Sequence, residues 1–172
     1  MPYNSVQYPL KLAVKARLDA LLLATSLPTL TSATPVLVRS APWFGDFGLA
    51  AQNKTYTWPG IVVSNAQGET NVPVTNNSQD IGFVVLITVA LQLEDANVAD
   101  LLENTAEDNR LAWRDVIIDN FVPKGVVAAS PERKFHKADY MGGTIVDWNE
   151  LSTNKRWVSS MLIRFWTRKQ HV

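Results

Sequence analysis

The sequence contains no cysteine and only two histidines. Without cysteine the chain cannot form a disulfide, a thiolate metal ligand or a thiol nucleophile. The histidines, His136 and His171, each stand apart from any patterned acidic residue, so a zinc site is not expected. The residue types that most often bind metals are therefore scarce or isolated.

The chain also lacks a long uninterrupted apolar run. Its most apolar N-terminal stretch, residues 10–27, is interrupted by Lys11, Lys15, Arg17 and Asp19, and it is therefore not a membrane span. No basic segment precedes it as in a secretory signal. The sequence predicts a protein that matures in the cytoplasm.

Neither sign of charge dominates, because sixteen basic and sixteen acidic residues cancel. This balance argues against a general nucleic-acid binder held by phosphate neutralisation. The distribution is uneven, since acids concentrate in residues 80–119 and none follows Glu150. Basic residues occupy the C-terminal end, namely Lys155, Arg156, Arg164, Arg168 and Lys169. Such a chain could join unlike surfaces of neighbouring copies head to tail, and two solvated faces of a monomer explain the charges equally well.

The 172 residues suffice for one domain with a substantial core. Alternating apolar side chains predict strands over Phe83–Leu93 and Trp157–Thr167. Apolar residues at helical spacing predict helices over residues 8–26 and 97–121. Two long strands with a helix between them indicate a single α+β domain.

Weaker patterns predict the remaining elements. Short strands are expected at Val36–Val38 and Ile61–Val63, the second closed by a turn at Asn65–Gly68. Val72–Val74 can only be an edge strand because Pro73 has no N–H to donate. Thr144–Trp148 is expected to pair with the last strand as a hairpin across Asn149–Lys155. Two long loops remain, at about residues 28–57 and 122–142, and loops of this length are usually functional.

This order of elements resembles the tail terminator proteins of long-tailed bacteriophages, over roughly residues 8–168. The resemblance depends on Trp58–Val63 at the first sheet strand and on Phe83–Leu93 as the central strand. It depends further on the tryptophan-bearing helix around Asn109–Trp113 and on the closing strand Trp157–Phe165. Head-completion and neck proteins share similar sizes and element orders. The segments 28–57 and 122–142 are longer than in the compact family examples.

The resemblance implies an antiparallel sheet of about four strands with two helices on one face. It implies a ring of identical copies, commonly a hexamer, stacked on the last ring of the tail tube protein. The other side of the ring would meet a head-side connector or stopper protein, and genomic DNA would pass through the lumen without specific binding. No cofactor, catalysis or membrane is expected, and the location would be the virion, after assembly in the host cytoplasm.

Three segments are the expected interface: the aromatic loop from Trp43 to Trp58, the arm from Lys124 to Tyr140, and the basic end from Arg164 to Lys169. The interface residues predicted by name are Trp43, Phe44, Phe47, Trp58, Lys124, Arg133, Lys134, Tyr140, Arg164, Arg168 and Lys169. A further hypothesis places Glu103, Glu107 and Asp108 at the lumen, where acids would repel phosphates and let DNA slide.

Each of these features also has a plainer interpretation. Aromatic loops more often cover a core than stack on bases. Acids on a polar helix face are usually solvated, although Asp100 with Glu103 could serve acid–base chemistry. Arg164 and Arg168 could contact DNA, an acidic helix of the next copy, or only water. A monomeric nucleic-acid-binding module and a small hydrolase are the competing functions, and the second has no matched nucleophile and base.

Overall fold

The computed structural model describes residues 6–25, 30–48, 54–75, 78–93, 104–127 and 134–170. Its helices are α1 (Gln7–Ala24), α2 (Asn104–Phe121) and α3 (Trp148–Asn154). Its strands are β1 (Val36–Val38), β2 (Phe47–Gly48), β3 (Tyr56–Thr57), β4 (Gly60–Thr75), β5 (Ser78–Gln92), β6 (Val126–Val127), β7 (Lys134–Gly142) and β8 (Arg156–Gln170).

Six strands form one mixed sheet in the order β1-β4-β5-β8-β7-β6. Only β1 runs parallel to its neighbour, with Val36 opposite Ile61, and the other neighbours are antiparallel. The two strands predicted most strongly, β5 and β8, lie side by side at the centre, where Phe83 pairs with Phe165. β2 and β3 form a separate parallel pair.

The helices α1 and α2 cover one face of this sheet, as predicted. Side chains at odd positions of β5 and β8, such as Ile87 and Ile163, are fully buried in the main core. From α1 the buried residues include Leu10, Val14 and Leu18, and from α2 they include Trp113, Ile117 and Phe121. The rings of Phe121 and Phe165 meet edge to face at 5.7 Å, and those of Trp113 and Trp157 at 5.8 Å. Paired aromatics thus fix α2 on β8.

None of the described helices lies across the centre of the opposite face of the sheet. Over β1 and β4, a small second core of Leu37, Phe47 and Val62 is covered by Phe44, Tyr56 and Trp58. These four loop aromatics, Phe44, Phe47, Tyr56 and Trp58, are called the aromatic lid below. Over β5 and β8, Leu86 and Leu162 remain only half-buried. The sheet therefore presents a partly open, partly apolar surface.

The fold class is α+β, but its details differ from the prediction. The sheet has six strands rather than about four, and β1 makes it mixed rather than antiparallel. A third helix, α3, follows the loop after β7 and contacts β8. Several of the added strands have only two or three residues, too few for an alternating pattern to show.

The prediction of a loop over residues 122–142 was wrong for its second half. Residues 134–142 are β7, which pairs with β8 between Phe135 and Gly142. Register shifts interrupt the pairing after Phe135 and after Tyr140, so the buried residues Phe135 and Ala138 are three apart. A bulge of this kind removes the two-residue period by which a strand is recognised. The other loop, 28–57, contains β1, β2 and β3.

The turn predicted at Asn65–Gly68 was also wrong, since β4 continues through it with an irregular register between Asn65 and Glu69. The edge position of Val72–Val74 is confirmed, because no described strand pairs with this end of β4 on the side away from β5. The hairpin predicted for Thr144–Trp148 is confirmed only in part. Thr144 and Asp147 do bond the backbone of β8, at Ser160 and Val158 and each at 2.9 Å, but the segment is not a strand and residues 148–154 form α3. The predicted helix start at residue 97 lies outside the described residues.

None of the three described helices is both long and apolar enough to span a membrane.

Candidate interaction surfaces

The aromatic loop from Trp43 to Trp58 is mostly turned inward. The Phe47 and Trp58 rings stack at 5.0 Å, and Phe44 contacts both of them. Phe47 lies directly over Gly60, where an added Cβ would overlap its ring. Trp43 is the exception, with 60% of its surface exposed. Of the predicted interface residues in this loop, three form the lid and only Trp43 is prominent at the surface.

A cavity of about 230 Å³ lies on the open face, between the aromatic lid and the segment before α3. Leu86 and Thr88 of β5 and Val158 and Ser160 of β8 form its floor. One wall is apolar, made by Pro42 and Phe44. The other wall is polar, made by Thr144, Asp147 and Glu150. These nine residues are called the groove below.

The hydroxyl of Thr88 is the distinctive polar group of the groove floor. Thr88 is 2% exposed, and no described group bonds its Oγ1. A buried hydroxyl without a partner costs about 1–3 kcal/mol.

Exposed apolar residues are sequence neighbours of the groove residues. Trp148 is 73% exposed and Ile145 is 54% exposed, and Trp43 follows directly after the wall residue Pro42. Large exposed tryptophans are unusual on a solvated monomer and are enriched in interfaces. Neither Trp148 nor Ile145 was a predicted site residue.

Arg114 of α2 fixes the segment that forms the polar wall. It is 5% exposed and donates hydrogen bonds to the carbonyls of Thr144 and Ser160, each at 2.9 Å. It also donates to the Ser159 hydroxyl and, at 2.8 Å, to the hydroxyl of Tyr140. One guanidinium therefore joins β7, the segment after it and β8, a geometry that the fork of arginine permits and lysine does not.

Asp147 places a negative charge on this wall. Its Oδ1 accepts from the backbone N–H groups of Asn149 at 3.0 Å and Glu150 at 3.1 Å, which caps α3. Glu150 lies 3.6 Å from the Arg156 guanidinium, so its charge is partly balanced. The Asp-x-x-Glu spacing from 147 to 150 is the one sequence signal from which α3 could have been found.

The arm from Lys124 to Tyr140 supplies exposed lysines at the opposite end of the molecule. Lys124 lies in the turn after α2, and Lys134 and Lys137 lie on β7. Gly125 brings this turn against the backbone of Phe135, with a φ of 66° that favours glycine. The three lysines are called the basic edge below. Arg133 lies outside the described residues, and Tyr140 is 40% exposed.

The basic end of β8 is engaged within its own chain. Arg168 donates to both carboxylate oxygens of Asp80 at 2.9 and 3.2 Å. This hydrogen bond lowers the pKa of Asp80 below its usual range. Arg164 lies over the Trp166 ring at 5.4 Å. The two arginines share a face of β8, as predicted, and the side chain of Lys169 lies outside the described part.

The Asp139 carboxylate accepts hydrogen bonds from two side chains on this face of the sheet, Lys137 and Trp166. Burial would raise the pKa of this carboxyl, but hydrogen bonds from Lys137 and Trp166 outweigh burial and lower the pKa. The Lys137–Asp139 distance is 3.0 Å. Lys137 and Arg168 are thus each paired with an acid of the same chain.

The predicted lumen acids are not located by the structure. Glu103 precedes the described part of α2, and the side chains of Glu107 and Asp108 lie outside it. Among the described residues no three metal-binding side chains cluster together. His136 is exposed, and His171 falls outside the described ranges.

The chain matches no protein-family model, and its comparison with curated proteins finds no match.

Proposed function

We propose that this protein is a structural component of a phage tail that forms a ring at the head-proximal end of the tail tube. The ring, of hexameric type, would close the tube and join it to the head-side connector or stopper protein. Genomic DNA would pass through the lumen without specific binding. The proposal rests on the resemblance to tail terminators and on one structural observation, the open sheet face.

The open face supports assembly because it combines apolar area with exposed tryptophans. Leu86 and Leu162 are half-buried on it, and Trp43 and Trp148, next in sequence to the groove residues Pro42 and Asp147, are largely exposed. Apolar surface is unfavourable in water, and covering it with another protein is favourable. Tryptophan is also enriched in subunit contacts.

A lumen lined by acids remains part of the proposal. Glu103, Glu107 and Asp108 would face the channel and keep DNA from adhering to it by like-charge repulsion. Replacing the three acids with their amides should slow genome passage, measured as DNA delivered per particle. Unchanged delivery would count against these residues as lumen residues.

A second candidate function is a small nucleic-acid-binding module, favoured by the Arg164–Trp166 pair and the nearby Lys137 on one face. Lys137 and Arg168 are already paired with Asp139 and Asp80, which reduces the positive charge offered to phosphates. DNA binding with a steep salt dependence would favour this candidate. Another neck or connector protein is the closest alternative, and only the position in the particle separates it from a terminator.

Position in the particle is therefore the test of the proposed function. Gold-labelled antibody against this chain, applied to particles of the virus that encodes it, should mark the junction of head and tail. A label elsewhere on the tail, or particles without this chain, would contradict the proposal. Antibody pre-absorbed with the purified chain provides the control.

A further inference from the structure

We infer that the groove receives the basic edge of a second copy of this chain, so that identical subunits join head to tail. This inference rests on the proposed ring and names the two surfaces that would close it. It follows from the chemistry of the groove, from the charge of the basic edge, and from their separation on one subunit.

The groove fits a long cationic side chain. Its apolar wall, Pro42 and Phe44, and the floor residues Leu86 and Val158 can cover an aliphatic stem. Asp147 on the polar wall can accept the charged head, because its capping bonds go to backbone N–H groups and leave its charge in place. Exposed Trp148, beside this wall, adds cation–π attraction.

The basic edge can supply such a side chain. Lys124 lies in an exposed turn beside exposed Pro123.

The basic edge of one copy cannot reach the groove of the same copy. Val158 and Ser160 of the groove and Thr167, which pairs with Phe135 beside Lys134, lie on the same strand. Seven to nine residues of β8 separate them, which is about 25 Å. A lysine side chain does not reach that far, so the contact joins two copies. Because the two surfaces differ, repeating the contact gives a ring or a filament rather than a closed dimer.

A cysteine cross-link tests the contact directly, because the chain has no cysteine of its own. The full chain carrying both Lys124→Cys and Ile145→Cys is oxidised at high protein concentration. The expected result is a ladder of disulfide-linked oligomers that ends at one closed size. Replacing Lys124→Cys by Leu23→Cys, at a 78% exposed position on α1, should give no ladder. A ladder with both pairs, or with neither, would overturn the inference.

Charge reversal gives an independent readout. Lys124→Glu combined with Lys134→Glu should weaken self-association of the unlinked chain by at least about tenfold, and Trp148→Ala should weaken it by roughly 30-fold. Lys15→Glu, which removes one surface lysine paired with Asp19, should leave association unchanged. Lysines on an edge strand can also serve only to block strand addition. In that case the glutamates would leave association unchanged, which contradicts the inference.

The two proposals fail in different ways. Rings without the Lys124–Ile145 cross-link would refute the groove contact and leave the tail function standing. A ladder from a chain that is absent from the head–tail junction would refute the tail function and leave the contact standing.

Discussion

At the scale of single residues, Arg114 has the most contacts to account for. It is buried and bonds four neutral acceptors, Thr144, Ser160, Ser159 and Tyr140. None of these four partners is an acid, so its role is to tie together polar groups of β7, of the segment after it and of β8. In the helical pattern Arg114 looks like an arginine on a solvated helix face. The sequence therefore did not predict its burial or its hydrogen bonds.

Replacing Arg114 should therefore destabilise the fold strongly. We expect Arg114→Met to lower the free energy of unfolding by about 2–3 kcal/mol, because two carbonyls and two hydroxyls each lose a charged donor. Tyr140→Phe, which removes one bond of the same group, should cost about 1 kcal/mol. Urea denaturation measures both. A loss for Arg114→Met no larger than that for Tyr140→Phe would contradict this role.

The Asp80–Arg168 pair predicts a dependence of stability on pH. Arg168 lowers the pKa of Asp80 in the folded state, so the folded state holds that proton less tightly than the unfolded chain. The resulting stabilisation is present above the unfolded pKa of about 3.9 and is lost as pH falls through the lower folded pKa. Between pH 6 and pH 2, Arg168→Gln should lose less free energy of unfolding than the natural chain. Equal losses in the two chains would show that the Asp80–Arg168 pair does not contribute to the pH dependence of stability.

At the scale of elements, the long regular pieces were predictable and the irregular ones were not. β5 and β8 alternate over their whole length because helices bury one face of each. β7 was missed since bulges break its period, and α3 was missed because it has seven residues and none of them is buried. The groove depends on the segment beside β7 and α3, so its polar wall could not be predicted.

The cap of α3 gives a prediction at this scale. Asp147→Ala should cost about 1 kcal/mol of stability, because two N–H groups at the helix start lose their acceptor. Asp147→Asn should retain most of that stability, since the amide oxygen can still accept. If both variants are equally destabilised in thermal unfolding, the capping role is wrong.

The packing of α2 on β8 gives a second prediction at the scale of elements. Phe165 is fully buried and meets both Phe121 and Phe135 edge to face. Phe165→Ala should lower the free energy of unfolding by about 3–5 kcal/mol. Leu23→Ala, at an exposed position on α1, should change it by less than about 0.5 kcal/mol. Similar losses in the two variants would mean that the core is not where the contacts place it.

At the scale of the whole molecule, the sheet has two unlike faces. One is covered by α1 and α2, and the other carries the aromatic lid, the groove and exposed tryptophans. The sequence predicted helices on one face and an aromatic loop, but it did not show that the lid leaves half of the other face open. Tertiary packing decides which part of a strand lies beyond the helix or loop that covers it. No local sequence pattern shows this.

Electron microscopy of the purified full chain tests most directly whether identical copies assemble through this open face. The images are recorded over a range of protein concentrations. We expect closed rings of one size with a central hole, in which the groove of each copy meets the basic edge of the next. Single copies at every concentration, with a small molecule occupying the groove and the tryptophans in water, would contradict it.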